Sequence, residues 1–254
     1  MRLKKVKGAL EKIELSKYYV KSPEQYKENW NKVFENENPI RLEIGMGKGN
    51  FIIGMAKKFP NINFIGIEMY DSVMVKATDS LEKEEYIPNL KLILMDARNI
   101  ENVFGKEIDR IYLNFSDPWP KKKHHAHRLF GPLFLNALWK RLEVGGRLEF
   151  ATDHAEYFRA VEACFAADAR FARVAPMARG PDAWTEFETR FRGQGLAIHA
   201  AAWRTRPVAD ERPLAPLAIA PESEPREGVA RRVSRGKEWR EEREYADRDE
   251  ERQV

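Results

Sequence analysis

Between residues 111 and 128 the chain reads Ile-Tyr-Leu-Asn-Phe-Ser-Asp-Pro-Trp-Pro-Lys-Lys-Lys-His-His-Ala-His-Arg. An apolar, strand-like segment ends in the carboxylate of Asp117. Lys121, Lys122, Lys123, His124, His125, His127 and Arg128 follow at once. Pro118 and Pro120 restrict the backbone on both sides of Trp119, so the acid and the indole share a stiff turn. A cationic run neutralises phosphates, and an acid accepts hydrogen bonds from a base, so the two together suit a nucleic-acid substrate. Taken alone, such a run is more often a solvated loop, and Trp119 less often core filler than a stacking residue. No metal site is expected, because His124 and His125 are adjacent and no cluster with ligand spacing accompanies them.

A second group with chemical potential lies upstream. Leu42-Glu-Ile-Gly-Met-Gly-Lys-Gly-Asn50 places Gly45, Gly47 and Gly49 between an apolar run and a helix-like stretch. Such glycines allow positive φ and close approach of a ligand to the backbone. The third comes one residue too early for the dinucleotide fingerprint. Glu43 precedes the loop, Glu68 ends Phe64-Ile-Gly-Ile-Glu68, and Asp96 ends Leu92-Ile-Leu-Met-Asp96. Glu68 is placed to accept hydrogen bonds from two ribose hydroxyls. A pocket of acids without phosphate-binding chemistry suits a positively charged nucleoside. S-adenosyl-L-methionine, with its sulfonium and ammonium, fits it better than NAD.

These residues need a sheet to bring them together. Short apolar runs occur at Ile40–Ile44, Asn63–Ile67, Leu90–Met95, Ile108–Phe115 and Arg147–Thr152. Helix-like stretches at 48–59, 71–86, 99–105, 131–141 and 154–166 lie between and after them, and a final strand is predicted at Leu196–Trp203. Strands apolar at consecutive positions and alternating with helices predict an α/β fold. It is Rossmann-like and doubly wound, a mostly parallel sheet of about seven strands with helices on both faces. Ligands in such folds sit at the carboxyl edge of the sheet, where all four acids fall. Residues 1–38 form an N-terminal helical extension, in which Ser22 is predicted to cap one helix running from Pro23 to Phe34. Residues 39–206 form the catalytic domain.

The 254 residues carry a formal charge of +4, so any affinity for nucleic acid must come from local clustering. The lone cysteine, Cys164, excludes an internal disulfide framework and fits a reducing compartment. No apolar run approaches the roughly 20 residues of a membrane span. The opening Met1-Arg-Leu-Lys-Lys-Val-Lys lacks a signal's apolar core, so a cytoplasmic protein is expected. Residues 207–254, rich in Pro, Ala and both charge signs, are expected to form a disordered tail. Residues 1–123 contain 18 lysines and 4 arginines, whereas 124–254 contain 2 lysines and 20 arginines. Imperfect packing is therefore expected where the runs 108–115 and 147–152 meet.

The motifs Leu42-Glu-Ile-Gly-Met-Gly-Lys-Gly, Gly66-Ile-Glu68, Asp96-Ala97, Phe115-Ser-Asp-Pro-Trp-Pro-Lys121, Ala151-Thr-Asp153 and Thr185-Glu-Phe-Glu188 together resemble the bacterial tRNA (guanine-N7-)-methyltransferases. The resemblance covers roughly residues 15–205. It implies methylation of guanosine 46 in the tRNA variable loop. It also implies that Glu43, Gly45, Gly47, Glu68, Asp96 and Asp117 contact S-adenosylmethionine, with Asp117 also the catalytic residue. Lys121, Asp153, Thr185, Glu186, Phe187 and Glu188 become the substrate contacts. Lys122, Lys123, His124, His125, His127 and Arg128 become the RNA contacts. Read singly, Asp153 also suits a helix cap, and Thr185–Glu188 a surface helix start. Two other readings share the fold: a methyltransferase with a substrate other than tRNA, and an RNA-binding module without catalysis. Monomer and homodimer are equally compatible with the sequence.

Overall fold

A computed structural model describes residues 5–117 and 129–207. The predicted RNA contacts, Trp119, Lys121 and the tail beyond Pro207 lie outside the described residues. Strand β1, Ile40–Ile44, sends Ile40, Leu42 and Ile44 into one apolar core. On the neighbouring strands β2 (Asn63–Glu68) and β4 (Ile108–Asn114), Phe64 and Tyr112 enter a second core. A sheet apolar on both faces must be covered twice. Helices α1 (Ala9–Leu15), α3 (Asn50–Lys58) and α4 (Asp71–Leu81) close the core around Phe64 and Tyr112. Trp30 and Phe34, with α5 (Ile100–Val103), α6 (Pro132–Arg141) and α7 (Ala155–Ala166), close the core around β1. Phe34 belongs to the short helix α2, Asn31–Phe34.

Strands β3 (Leu90–Leu94), β5 (Leu142–Thr152), β6 (Phe171–Val174) and β7 (His199–Thr205) complete a seven-stranded sheet in the order β3-β2-β1-β4-β5-β7-β6. Strands β1 to β5 pair in parallel, and β7 runs antiparallel to both β5 and β6. The chain moves outward from β1 to β3, then returns to the other side of β1 as β4. That reversal opens a crevice above the carboxyl ends of β1 and β4, where open α/β sheets bind ligands. Among the described residues no helix is long and apolar enough to cross a membrane.

The structure departs from the sequence expectations in four places. The single helix from Pro23 to Phe34 is broken into a 3-10 turn, Pro23–Tyr26, and α2. Ser22 is left-handed (φ 53°) and makes no side-chain cap. The break falls at Glu28 (φ 61°), whose amide donates to the Glu107 carboxylate at 3.0 Å, a tertiary contact that outweighs helical periodicity. The final strand begins at His199 rather than Leu196, and β6 has no counterpart among the predicted strands. The ladder between β4 and β5 holds register without interruption from Arg110↔Arg147 to Asn114↔Ala151, with Leu148 and Phe150 buried. Just before that stretch the register shifts between Ile108 and Arg110, and the buried Nε atoms of the paired Arg110 and Arg147 have no hydrogen-bond partner among the described residues. Residues before β1 share the cores: the Trp30 indole donates to the Val103 carbonyl and stacks on Phe104, and Val20 donates to the Leu92 carbonyl at the β3 edge.

Candidate active site at the carboxyl edge of the sheet

Because the strand order is β3-β2-β1-β4, Asp96, Glu68, Glu43 and Asp117 stand side by side along one edge. Their surroundings differ. Glu68 is buried, and its carboxylate accepts from the amides of Gly47 (3.1 Å), Met69 (2.8 Å) and Tyr70 (3.0 Å). It thereby ties the glycine loop to the end of β2. Asp96 caps the 3-10 turn Ala97–Asn99 through the Arg98 amide and also takes the Arg98 guanidinium in a fork, with contacts of 2.5 to 3.1 Å. Asp117, three residues beyond β4, is exposed.

Glu43 is the most deeply buried of the four, 1 % exposed against 7 % for Glu68. Its Oε1 accepts from the Asn114 amide at 2.8 Å, while Oε2 is buried with no hydrogen-bond partner among the described residues. Burial pushes its carboxyl from 4.5 up to about 8, against the pull of Asn114, of the Arg179 guanidinium and of the Ile52 amide, which lies near without a well-formed hydrogen bond to Oε2. The acid is therefore held mainly protonated at neutral pH until a cation reaches it. Above it, Gly45 and Gly47 adopt φ of 73° and 60°, and no described atom lies within 4 Å of the position a Cβ would take. A side chain would be strained there and would fill the approach to the crevice. An orphaned buried carboxylate oxygen beneath an open glycine turn fits a ligand carrying positive charge, as S-adenosylmethionine does.

The opposite wall is α8, Glu186–Gly193. Thr185 is its N-cap: Oγ1 accepts from the Glu188 amide at 2.9 Å. Glu188 does not complete a capping box. Its side chain is buried and accepts from Arg192 Nε and Nη2 at 3.0 and 2.9 Å. Glu186 turns outward and pairs with Lys48 of the glycine loop at 2.7 Å, joining the two walls. Phe187 is 51 % exposed and stacks on Phe115, ring centroids 6.2 Å apart, and Phe115 stacks in turn near Phe191. Phe115 holds φ of 52°, a strained value for an aromatic residue, at the point where β4 turns toward Asp117. Asp153 is exposed at the end of β5 and is not a helix cap, since His154 Nδ1 accepts from the Tyr157 amide and caps α7.

Two residues that sequence reasoning misses join these walls. Arg179 Nη1 donates to Asn114 Oδ1 at 2.7 Å and lies 3.5 Å from Glu188 Oε2. The Asn114 amide has one orientation that serves both neighbours, donating to Glu43 and accepting from Arg179. For Asn114 the only signal in the chain is position, since it ends the strand that leads into Asp117. Arg179 carries none, lying in a segment with neither periodicity nor motif. Among the described residues no group of three or more His, Cys, Asp or Glu side chains is arranged to hold a metal ion.

Residues 37–201 match a protein-family profile described as "Putative methyltransferase". The chain is 48 % identical over 160 residues to a tRNA (guanine-N(7)-)-methyltransferase of Listeria monocytogenes, covering 62 % of this chain and 74 % of that one. It is 49 % identical over 160 residues to one from a Geobacillus strain, covering 62 % and 72 %. A third, from Bacillus cytotoxicus, is 40 % identical over 220 residues, covering 82 % of this chain and the whole of the relative. Among solved structures, a 16S rRNA (adenine(1408)-N(1))-methyltransferase from Catenulisporales acidiphilia superposes with a TM-score of 0.55 at 13 % identity. It covers 75 % of this chain and 94 % of that one, a likeness of fold.

Proposed function

We infer that this chain, which belongs to the tRNA (guanine-N7-)-methyltransferase family, methylates N7 of guanosine 46 in the tRNA variable loop. The reading rests on one observation. Acids stand at or just beyond the ends of four adjacent strands, and the first of them, Glu43, is linked through Asn114 and Arg179 to Glu188 of α8, while Lys48 of the glycine loop pairs with Glu186. S-adenosylmethionine supplies an electrophilic methyl group on a sulfonium and leaves as a neutral thioether. Glu43, Glu68, Asp96, Asp117 and the turn at Gly45–Gly47 would hold it.

Guanine N7 carries a free lone pair at neutral pH, so no base is required to strip a proton from it. The bond to N7 forms as the sulfur–methyl bond breaks, and the positive charge passes to the purine. The protein's task is alignment and a field favourable to that emerging cation. Asp117, exposed at the edge, accepts hydrogen bonds from guanine N1–H and the exocyclic amine, which become more acidic as charge develops. Asp153, exposed at the end of β5, or Glu188 shares that task and favours guanine over adenine, which lacks those donors. Phe187 offers its exposed face for stacking on a base, worth about 1–3 kcal/mol in single-stranded recognition. Lys121 and the run from Lys122 to Arg128 supply phosphate contacts. The protein works in the cytoplasm, with its tRNA.

The test is to incubate unmodified tRNA with the protein and S-adenosylmethionine and to detect 7-methylguanosine by mass. An Asp117→Ala variant as active as the parent removes the role given to that acid. Methyl transfer indifferent to RNase would point to another substrate. Tight tRNA binding without binding of S-adenosylhomocysteine would mark an RNA-binding module.

A further inference from the structure

The loop after β6 is held unusually firmly for a segment without regular structure. Arg147 Nη2 donates to the Ala175 carbonyl at 2.7 Å and to Glu149 Oε1 at 2.9 Å, and the Met177 amide donates to Glu149 Oε2 at 2.9 Å. Glu149 is itself 1 % exposed. A buried carboxylate satisfied by an arginine and a backbone amide makes a rigid anchor. Downstream, the Trp184 indole donates to the Arg179 carbonyl, and the Ala183 amide to that of Gly180. Arg179 is thus delivered from a clamped loop into the space between β4 and α8. Its guanidinium sits 4.9 Å above the Phe51 ring on α3 and is almost wholly withdrawn from water.

What lies on either side of it is unusual. Toward β1, Arg179 reaches Glu43 through Asn114; toward α8, it faces Glu188 directly. Each carboxylate keeps one buried oxygen, Glu43 Oε2 and Glu188 Oε2, with no hydrogen bond among the described residues. Arg179 therefore lies between two buried acids, reaching Glu43 through Asn114 and sharing Glu188 with Arg192. We propose that Arg179 is a positioning residue that couples Glu43 to Glu188 through Asn114, so that occupation of the cofactor side orients the substrate side. The proposal rests on the functional reading above.

The charged groups facing Glu43 are Arg179 and, from β2, Glu68. Arg179 favours the ionised form of Glu43, the form that a cationic ligand requires, and Glu68 opposes it. Removing the guanidinium shifts ionisation of Glu43 to higher pH and leaves Glu188 held by Arg192 at Oε1 alone, with Oε2 free to move. Both contacts come from the one nitrogen Nη1; a lysine keeps the charge, but its shorter stem and compact ammonium do not keep that nitrogen's place between Asn114 and Glu188.

The experiment is calorimetric titration of S-adenosylhomocysteine between pH 6 and 9 into the wild-type protein, Arg179→Gln and Arg179→Lys, with melting temperature recorded for each and the KM for tRNA measured separately. For Arg179→Gln the expected result is about tenfold weaker binding at pH 7. Its pH profile should be displaced upward by roughly one unit, the range expected when a neighbouring opposite charge is lost. For Arg179→Lys the profile should stay near wild type while the KM for tRNA rises about fivefold or more at unchanged kcat, since the ammonium keeps the charge but not the position of Nη1 beside Asn114 and Glu188. Should Arg179→Gln not fold, Arg179→Met, which keeps an apolar stem over the Phe51 ring, is expected to give the same displaced profile. Wild-type binding with profiles and tRNA KM unmoved in the folded variants overturns the coupling and leaves the functional reading intact. A wild-type protein that binds no S-adenosylhomocysteine at any pH overturns both.

Discussion

Replacing Glu43 with glutamine should make the folded protein more stable at neutral pH while removing its capacity to hold a cationic ligand. The acid ordinarily titrates at 4.5, and burial raises it to about 8 in the fold. Between those values the folded state keeps a proton that the unfolded chain has released. The stability this group contributes is thus complete below about pH 4.5 and is lost as pH rises through 8. The slope is about 1.4 kcal/mol per pH unit, which makes roughly 5 kcal/mol across the window and roughly 3 kcal/mol at pH 7. Glutamine matches the protonated acid in size and keeps an oxygen to accept from the Asn114 amide, but it cannot ionise. The stability difference between Glu43→Gln and the wild type should be below about 1 kcal/mol at pH 5 and grow with pH. At pH 7 a gain of that size corresponds to about 6–12 °C in Tm for a domain this large. Urea unfolding followed by tryptophan fluorescence at pH 5, 6, 7 and 8 measures the difference directly, and groups common to both proteins cancel. Parallel curves for the two proteins across that range would refute a strained, buried Glu43. Calorimetry should show the more stable variant binding S-adenosylhomocysteine at least tenfold less tightly.

Three further outcomes follow from the same geometry. Phe187→Ala removes a half-exposed ring, so its melting point should move little, while kcat/KM for tRNA falls by about 5- to 150-fold, the loss of about 1–3 kcal/mol of base stacking. Tryptophan at this position should restore most of that activity in the same steady-state assay. Thr185→Ala deletes the cap of α8, and urea unfolding should show a loss of about 1 kcal/mol, reversed by serine or aspartate. Changing Lys121, Lys122 and Lys123 to glutamine should weaken tRNA binding and flatten its log–log salt dependence by about 0.7–0.9 for each phosphate no longer neutralised, measured by filter binding across a salt series.

The order of strands and helices, and the strand ends at which chemistry is placed, are legible in the chain alone. Apolar runs such as Phe64-Ile-Gly-Ile and Leu90-Lys-Leu-Ile-Leu are local signals, and a parallel sheet follows from their alternation with helices. The same local pattern puts Glu43, Glu68, Asp96 and Asp117 on one edge, because each belongs to the end of its own strand. Where a local pattern meets a distant partner, the pattern loses. The helix expected from Pro23 to Phe34 breaks where the Glu28 amide finds Glu107, 79 residues away. The four-residue strand β6 is too short to announce itself, and it exists because β7 offers it an edge. Most of all, it takes the folded chain to bring Arg179 to Asn114, 65 residues off, and Asn114 to Glu43, 71 residues off. Periodicity and propensity report forces acting within a few residues of one another. The protonation of a buried acid and the company of a buried arginine depend on which surfaces are pressed together once water has been excluded.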